Sequence, residues 1–279
     1  MIKIGDYNTL KIVREKTIGY FLDAGTGRAN DDILLPKGST LGQELQLDEE
    51  IEVYIYRDSK DRLVATLKKP LAKVGDLAYL RVAAVTNIGA FIDVGLDRDV
   101  FVPLKEMLYT LEKDKSYLFY IYLDKTGRIA ATTYVEKHLE NSEAYGVGDE
   151  VKGTVYGFQS NNSAMVAVDN RYRGVILHNE YFTKLNYGQV LELRVNRILE
   201  GGKLRLTPRK KAKEERSATQ ELILEYLKSH GGSMPFNDKS APEDIYRTFK
   251  VSKNYFKNAL GGLMKSNLIE QNEKGCRLK

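Results

Sequence analysis

The sequence reads Asn-Ile-Gly-Ala-Phe-Ile-Asp at residues 87–93 and Thr-Ile-Gly-Tyr-Phe-Leu-Asp at residues 17–23, and the two stretches share one pattern. A run that contains a proline follows each stretch, Asp32-Ile-Leu-Leu-Pro-Lys37 in the first copy and Asp99-Val-Phe-Val-Pro-Leu-Lys105 in the second. Each copy closes with an aspartate and an arginine four positions later, Asp58 with Arg62 and Asp124 with Arg128. The copies are offset by close to 70 residues (position 87 against position 17), and such a period predicts a structural unit repeated along the chain.

A third and weaker copy follows the first two. Val147-Gly-Asp-Glu-Val151 opens it in the way that Val74-Gly-Asp-Leu77 opens the second copy, and the stretches 191–198 and 203–209 supply its last two strands. Short alternating strands rich in Val, Ile and Tyr, separated by Gly and Asn, are typical of an all-β barrel. Five strands in a unit of roughly 65 to 70 residues fit the OB-fold, a five-stranded barrel.

The pattern changes from a period of two to a helical period in the C-terminal part of the chain. Ser217 and Gln220 have the spacing of a capping box and predict a first helix with an apolar face, made of Leu222, Ile223, Tyr226 and Leu227. Ser240-Ala-Pro-Glu243 predicts the start of a second helix that runs through Phe249, and a third helix is expected to begin near Ser252. A hairpin predicted over 268–278 completes a winged-helix arrangement.

The predicted fold class is therefore mainly β with a C-terminal α+β domain, in which tandem five-stranded OB-fold barrels precede a winged helix. The expected domains are 1–69, 70–144, 145–210 and 211–279. Lys68-Lys-Pro70 separates the first two barrels, and a short polar helix is expected within 133–145. The charged stretch 209–216 is expected to form a helical linker.

Composition restricts the possible functions. A net charge of +5 permits an anionic partner without requiring one. The single cysteine, Cys276, excludes an intramolecular disulfide and a cysteine-rich zinc site, and His138, His178 and His230 lack metal-binding spacing. We expect no cofactor and no metal. Since no apolar leader or membrane-spanning stretch is found, a cytoplasmic location is expected, and no membrane partner.

The candidate binding chemistry lies in the second strand of each of the first two barrels. Alternation predicts that Ala90, Ile92 and Val94 face the core, which turns Phe91 outward beside Asp93. The first barrel repeats this with Tyr20 and Leu22 inward and Phe21 with Asp23 outward. An outward phenylalanine can stack on an unpaired nucleobase. The alternative is that a neighbouring domain or loop covers the ring.

Other residues extend this candidate surface. On the next strand Phe101 shares a face with Pro103, and Leu34 shares one with Pro36. Arg62 and Arg128 can meet phosphates or stack on bases. In the winged helix, the third helix can present Lys253 and Lys257 to nucleic acid. Against this, Gly261-Gly262 and the acidic Glu270 and Glu273 favour a domain that packs or dimerises.

These motifs resemble the RNA-binding domain named after ribosomal protein S-one. In that family two phenylalanines, a histidine, an aspartate and an arginine form the surface for single-stranded RNA. The resemblance assigns these roles to Phe91, Asp124 and Arg128 in the second barrel, and to Phe21, Asp58 and Arg62 in the first. The first phenylalanine is replaced by Ile88 and Ile18, and the histidine by Pro103 and Pro36. In the third barrel Met165 replaces the phenylalanine, Lys203 replaces the arginine, and Leu177, followed by His178, stands at the histidine position.

Three such barrels followed by a winged helix are similar to the bacterial conserved virulence factor B family. The resemblance covers essentially the whole chain through its architecture and its two clear repeats. It implies an RNA-binding regulator that acts on gene expression after transcription, without enzymatic activity. The implied partner is single-stranded RNA, with DNA as a further partner of the winged helix. The sequence does not predict the oligomeric state.

Three alternatives remain open at this stage. Gly25-Thr-Gly-Arg28 resembles part of a dinucleotide-binding loop, but a glycine is missing and the stretch lies between strands, which argues against an enzyme. A DNA-binding transcription factor could use the winged helix, although an aromatic surface suits unstacked single strands better than duplex grooves. A scaffold on the ribosome or on a nuclease complex is the third alternative.

Overall fold

Each of the three repeats folds as a closed five-stranded barrel in the computed structural model, which describes residues 2–181, 183–208 and 212–279. Barrel 1 contains β1 (Tyr7–Lys16), β2 (Gly19–Leu22), β3 (Ile33–Pro36), β4 (Glu50–Arg57) and β5 (Leu63–Thr66). Barrel 2 contains β6 (Leu77–Thr86), β7 (Gly89–Ile92), β8 (Val100–Pro103), β9 (Ser116–Leu123) and β10 (Ile129–Thr132). Barrel 3 contains β11 (Glu150–Phe158), β12 (Ala164–Val168), β13 (Tyr172–Ile176), β14 (Val190–Ile198) and β15 (Leu204–Thr207).

The three barrels share one topology. In barrel 1 the strand order is β1-β2-β3-β5-β4, with β3 and β5 parallel, the other neighbours antiparallel, and β1 pairing with β4 to close the barrel. The first strand pairs with the fourth strand along its first half and with the second strand along its second half. A register shift lies within the pairing with the second strand in every barrel, at Ile12/Arg14, Val82/Ala84 and Val155/Gly157. Such a bulge bends a strand, so each long first strand can pair with both the second and the fourth strand of its barrel.

The glycine of the repeated motif is required by the approach of two strands. Gly89 has a φ of +152°, and a Cβ atom there would lie 2.2 Å from the carbonyl oxygen of Val102 on β8. Gly19 repeats this with a φ of +150° and a distance of 2.1 Å to the carbonyl oxygen of Leu35. Only glycine fits such a position without strain. The predicted barrel class is thus confirmed, together with the local reason for its motif.

The segment between barrels 2 and 3 is not the short polar helix that was expected. Only Glu136–His138 forms a single 3-10 turn, and Glu140 then pairs in parallel with Tyr172 of barrel 3. Val135 and Leu139 are buried in a cluster with Leu118, Tyr156 and Ala167, which joins the two barrels. Because these apolar side chains and the backbone of Glu140 are committed to the neighbouring barrels, a continuous helix would remove more contacts than it forms.

The C-terminal unit, Pro208–Lys279, is a winged helix. It contains α1 (Ala212–Ser229), β16 (Ser233–Met234), α2 (Pro242–Phe249), α3 (Lys253–Lys265), β17 (Ile269–Asn272) and β18 (Gly275–Leu278). The strands form a three-stranded sheet in the order β16-β18-β17, so the predicted hairpin gains a third short strand. The core is formed by the apolar faces of the helices and by Met234, Ile269 and Cys276.

Several predicted helix details need correction. The first helix begins at Ala212, so Ser217 is an internal residue and not its cap. The preceding Lys, Glu and Arg residues are good helix formers, which allows the helix to extend toward the N-terminus. The part of the predicted charged linker at 209–211 lies outside the described residues. Leu222 is exposed, unlike the buried Ile223 and Leu227.

The other two helix starts differ from each other. Ala241 and not Ser240 caps α2, because the hydroxyl of Ser240 accepts a hydrogen bond from the amide of Asn237 instead. The third helix begins next to Ser252 as predicted, and Ser252 caps it by accepting a hydrogen bond from the amide of Tyr255. In α3, Gly262 is buried, whereas a Cβ atom at Gly261 would meet nothing within 4 Å in the described part of the chain. Gly261 is therefore not explained by helix packing inside this unit.

Candidate nucleic-acid interface

Barrel 1 carries an open cleft around Phe21. Phe21 on β2 is in register with Leu34 on β3, which is in register with Val64 on β5, so the three side chains form a row across the outer face. This row lines a cleft of about 890 Å³ together with Ile18, Arg62 and the loop 24–26 and 30–32. The structure thus brings the predicted residues Phe21 and Arg62 into one cleft. The alternation prediction is confirmed here, because Tyr20 and Leu22 are buried in the core.

Two cations lie against the ring of Phe21. The guanidinium carbon of Arg14 is 4.9 Å from the ring centroid, and Nζ of Lys16 is 5.3 Å from it. Arg14 faces Phe21 across the β1–β2 pair and is held by Asp32 at 2.6 Å. Cation–π contacts of this kind place positive charge beside an aromatic ring. The cleft therefore combines a ring that can stack with charges that suit a phosphate.

Barrel 2 carries a pair of phenylalanines on the equivalent face. Phe91 on β7 and Phe101 on β8 are register partners, with ring centroids 5.2 Å apart and an interplanar angle of 40°. Both rings are half-buried, while Ala90, Ile92 and Val94 are buried in the core as predicted. We call Phe91 and Phe101 the aromatic pair. A surface with two adjacent rings is suited to the stacking of unpaired bases.

The replacements of the first family phenylalanine keep this face apolar. Ile18 and Ile88 are each 60% exposed, at the turns between the first two strands of barrels 1 and 2. Ile18 lines the same cleft as Phe21. An isoleucine there still offers apolar contact to a base, although it cannot stack as a ring does.

The carboxylates of the two turn aspartates, Asp58 and Asp124, form hydrogen bonds within their own turns. The carboxylate of Asp124 accepts hydrogen bonds from the amides of Thr126 and Arg128 and from the hydroxyl of Thr126. Partial burial acts to raise the pKa of Asp124, but these hydrogen bonds outweigh it and lower the pKa below its usual range. Asp58 likewise accepts from the amides of Lys60 and Arg62. The turn carboxylates therefore shape the loops that carry the two arginines.

The two turn arginines are themselves paired with carboxylates. In barrel 1, Nε and Nη2 of Arg62 donate to one oxygen of Asp58, at 2.9 and 2.7 Å. In barrel 2, Nε of Arg128 donates to Asp61 of barrel 1 at 3.1 Å. Arg62 and Arg128 are nevertheless 64% and 57% exposed, so a phosphate can reach both. A phosphate that binds either arginine therefore competes with a carboxylate for the positive charge of the guanidinium.

Barrel 3 lacks this arrangement. Met165, at the phenylalanine position, packs on the apolar cluster that joins barrels 2 and 3. Ala167 on the same strand face is buried in that cluster. Lys203 lies half-buried just before β15, Leu177 is half-buried, and His178 is exposed. The face that carries aromatic rings in barrels 1 and 2 is thus used in barrel 3 for contact with barrel 2.

The winged helix presents its predicted lysines on α3. Lys253 is the first residue of the helix, and its Nζ donates to the carbonyl oxygen of Lys239 at 3.4 Å. Lys257, one turn later, is exposed. On the hairpin, Glu270 pairs with Arg277, and Glu273 is exposed. The helix thus offers positive charge, while the hairpin beside it carries acidic groups.

Some features of this interface were not predicted from the sequence. Arg14 and Lys16 lie on β1, and the bulge at Ile12/Arg14 sets which residue faces Phe21. Arg57 and Arg98 line the cleft between barrels 1 and 2. A strand-register analysis that included the bulge could have found Arg14. Arg57 and Arg98 depend on how the two barrels meet, for which the sequence has no signal.

Residues 2–181, 183–208 and 212–279 contain no group of three or more His, Cys, Asp or Glu side chains placed to hold a metal ion. Over the same ranges, no helix has the length and apolar character needed to cross a bilayer.

Tandem barrels with exposed aromatic and arginine residues, followed by a winged helix, define a multidomain nucleic-acid-binding protein. Family comparison agrees with this class. Residues 4–68 and 74–134 match the model described as S1 domain, and residues 221–278 match the model described as CvfB-like winged helix domain. Both describe nucleic-acid-binding domains and not catalytic ones. The chain belongs to the conserved virulence factor B family.

Relatives of similar length support this assignment. The chain is 31% identical to the uncharacterized protein YitL of Bacillus subtilis, over 96% of this chain and 91% of that protein. It is 27% identical to conserved virulence factor B of Staphylococcus epidermidis, over 95% of this chain and 91% of that protein.

A solved structure extends the likeness to three dimensions. It is the crystal structure of a multidomain protein with nucleic acid binding domains from Streptococcus pneumoniae, with a TM-score of 0.55 and 27% identity. The match covers 99% of this chain and 98% of that one.

Proposed function

We propose that the chain binds single-stranded RNA through barrels 1 and 2 and acts as a bacterial post-transcriptional regulator in the cytoplasm. The observation that carries this proposal is the aromatic pair of barrel 2, two half-buried rings 5.2 Å apart, of which Phe101 lines a cleft together with Arg128. Base stacking contributes about 1–3 kcal/mol per base and tolerates any sequence. An arginine beside the rings supplies the contact to the phosphate.

The shape of the site favours an unpaired strand. Phe21 and Phe101 line clefts, and Phe91 lies beside Phe101 on the same barrel face. None of these rings projects as an element that could enter a groove of duplex DNA. Unpaired RNA can turn its bases outward onto such rings. The similar solved structure has nucleic acid binding domains and a relative is a conserved virulence factor, which is consistent with a regulator of this kind.

Each predicted residue has a distinct role in this proposal. Phe21, Phe91 and Phe101 stack on bases, and Arg62 and Arg128 contact phosphates. Asp124 holds the turn that presents Arg128. Lys203, Lys253 and Lys257 add phosphate contacts from barrel 3 and from the winged helix.

The test is a titration of the full chain with single-stranded RNA, single-stranded DNA and duplex DNA over a range of salt concentrations. We expect RNA to bind most tightly, with log affinity falling linearly against log salt. Phe91→Ala and Phe21→Ala should each weaken RNA binding by about fivefold or more, the equivalent of roughly 1 kcal/mol of stacking. Tyr134→Ala removes an exposed aromatic ring that lines neither cleft and is the control.

The alternative functions have clear outcomes in the same titration. Tightest binding of duplex DNA, abolished by Lys257→Ala and not by Phe91→Ala, would favour a DNA-binding regulator led by α3. An absence of binding to all three nucleic acids would favour a scaffold.

A further inference from the structure

A second cleft lies between barrels 1 and 2 and is built from both. Its volume is about 280 Å³. Barrel 1 contributes Tyr56, Arg57 and Ser59 from the end of β4 and the turn that follows it. Barrel 2 contributes Arg98 and Phe101, and Arg128 stands at the start of its last strand. The cleft therefore adjoins the aromatic pair, because Phe101 belongs to both.

Hydrogen bonds between the two barrels fix the walls of this cleft. Nε of Arg57 donates to the carbonyl oxygen of Gly127 in barrel 2 at 3.3 Å, and its Nη1 donates to the carbonyl oxygen of Asp61 at 2.7 Å. In the other direction, Nε of Arg128 in barrel 2 donates to the carboxylate of Asp61 in barrel 1 at 3.1 Å. The turns of the two barrels thus hold each other in place. A preformed cleft loses little conformational entropy when a ligand enters.

The arginines in this cleft differ in what they already bind. Arg57 and Arg128 are engaged in the contacts between the barrels, as described above. Arg98 is exposed and forms no hydrogen bond or ion pair with any residue that the structure describes. The neighbouring carboxylate of Asp97 is taken by Lys68 at 2.5 Å. Asp99 remains as the adjacent acidic group and is exposed. Among these three arginines, Arg98 is therefore the one whose N–H donors are all available to an anion.

We propose that this cleft is a nucleotide subsite in which one base of single-stranded RNA lies against Phe101 and the adjoining phosphate binds Arg98. The proposal rests on the proposed RNA-binding function and extends it to a residue outside the family pattern. An RNA strand that leaves the aromatic pair of barrel 2 enters this cleft and reaches the turn of barrel 1. Barrels 1 and 2 thus bind one strand as a unit, since each contributes a wall of the same subsite.

Two substitutions in the full chain test the subsite. Arg98→Ala removes the free guanidinium, and we expect it to weaken single-stranded RNA binding by about tenfold, the usual range for a charge-assisted contact. The slope of log affinity against log salt should fall by about 0.7, the contribution of one phosphate contact on a single strand. Ser59→Trp fills the cleft with an indole ring from an exposed position and should also weaken binding.

A neighbouring lysine provides the matched control. Lys60 is exposed, follows Ser59 in the same turn and does not line the cleft. Lys60→Ala removes the same unit of charge without changing the subsite, so a general electrostatic effect would be equal in both variants. We expect Lys60→Ala to weaken binding less than threefold. Because residues 59, 60 and 98 are all exposed, thermal unfolding should be nearly unchanged in the three variants, and a melting curve checks this.

The outcomes separate this proposal from the proposed function. If Arg98→Ala weakens binding no more than Lys60→Ala, and Ser59→Trp binds as the unmodified chain does, the subsite is refuted. In that case a loss of affinity in Phe91→Ala leaves the RNA-binding function standing. If the unmodified chain does not bind single-stranded RNA, or Phe91→Ala changes nothing, the function itself fails and the subsite fails with it.

Discussion

Asp61 of barrel 1 forms an ion pair with Arg128, the arginine of barrel 2 that we propose contacts RNA, and removing the charge of Asp61 should tighten RNA binding. The two atoms, Nε of Arg128 and Oδ1 of Asp61, are 3.1 Å apart, and the side chains are 57% and 47% exposed. Asp61→Asn removes the charge and keeps the size of the side chain. Asp61 has a φ of +64°, a conformation that asparagine also tolerates well, so the turn should keep its shape.

The magnitude follows from the exposure of the pair. Two unit charges at this separation attract by about 1.3 kcal/mol in the dielectric of water, and measured exposed ion pairs contribute roughly 0.2–1 kcal/mol net. A phosphate that no longer competes with this carboxylate gains the same amount of binding free energy. Asp61→Asn should therefore bind single-stranded RNA about 1.4 to 5 times more tightly than the unmodified chain. The gain should shrink as salt rises, because an exposed pair is screened.

Fluorescence anisotropy with a labelled single-stranded RNA at several salt concentrations measures this effect. Asp114→Asn is the control, because Asp114 pairs with Arg81 at the same 3.1 Å distance and similar exposure. Arg128 lines a cleft, whereas Arg81 lines neither cleft. If Asp61→Asn binds RNA no more tightly than Asp114→Asn, the carboxylate does not compete with phosphate and the reasoning is refuted.

Two further predictions concern the stability of the barrels. Gly89→Ala should lower the free energy of unfolding by at least about 2 kcal/mol in denaturant titrations, because its Cβ would collide with the carbonyl oxygen of Val102. Gly25→Ala is the control and should lose less unfolding free energy, because its Cβ meets no described atom within 4 Å. A hydrogen bond from Lys73 lowers the pKa of Asp6, so this pair stabilises the fold above the unfolded pKa of about 4 and the effect is lost as pH falls through the lower folded pKa. Melting curves between about pH 6 and pH 3 should therefore show a larger loss for the unmodified chain than for Asp6→Asn, and equal losses would contradict the role of this pair.

The parts of the fold that depend on local chemistry could be predicted from the sequence. The outward position of Phe21 and Phe91 follows from the two-residue period of a strand, which is a local property of the backbone. The Ile-Gly step in the repeated motif also has a local cause, the close approach of two neighbouring strands at Gly89. For the same reason, the start of α3 near Ser252 could be predicted.

The features that the sequence did not predict depend on distant contacts. The stretch 133–145 looks like a polar helix, but Val135 and Leu139 are buried between two barrels and Glu140 pairs with barrel 3. The pairing of Arg128 with Asp61 and the free position of Arg98 depend on how barrels 1 and 2 meet. The order of residues along the chain contains no signal for how two barrels are placed relative to each other. The candidate site was therefore predicted one barrel at a time, and its shared cleft was missed.

The most direct measurement of the central claim uses a single tryptophan in the aromatic pair. The chain contains no tryptophan, so Phe91→Trp introduces one fluorophore at the position where a base is expected to stack. Single-stranded RNA should quench its emission to saturation, while duplex DNA at equal concentration should not. Val147→Trp, at an exposed position that lines neither cleft, should respond to neither. Equal quenching by duplex DNA, or RNA binding without any quenching of Phe91→Trp, would contradict the claim that unpaired bases stack on this face.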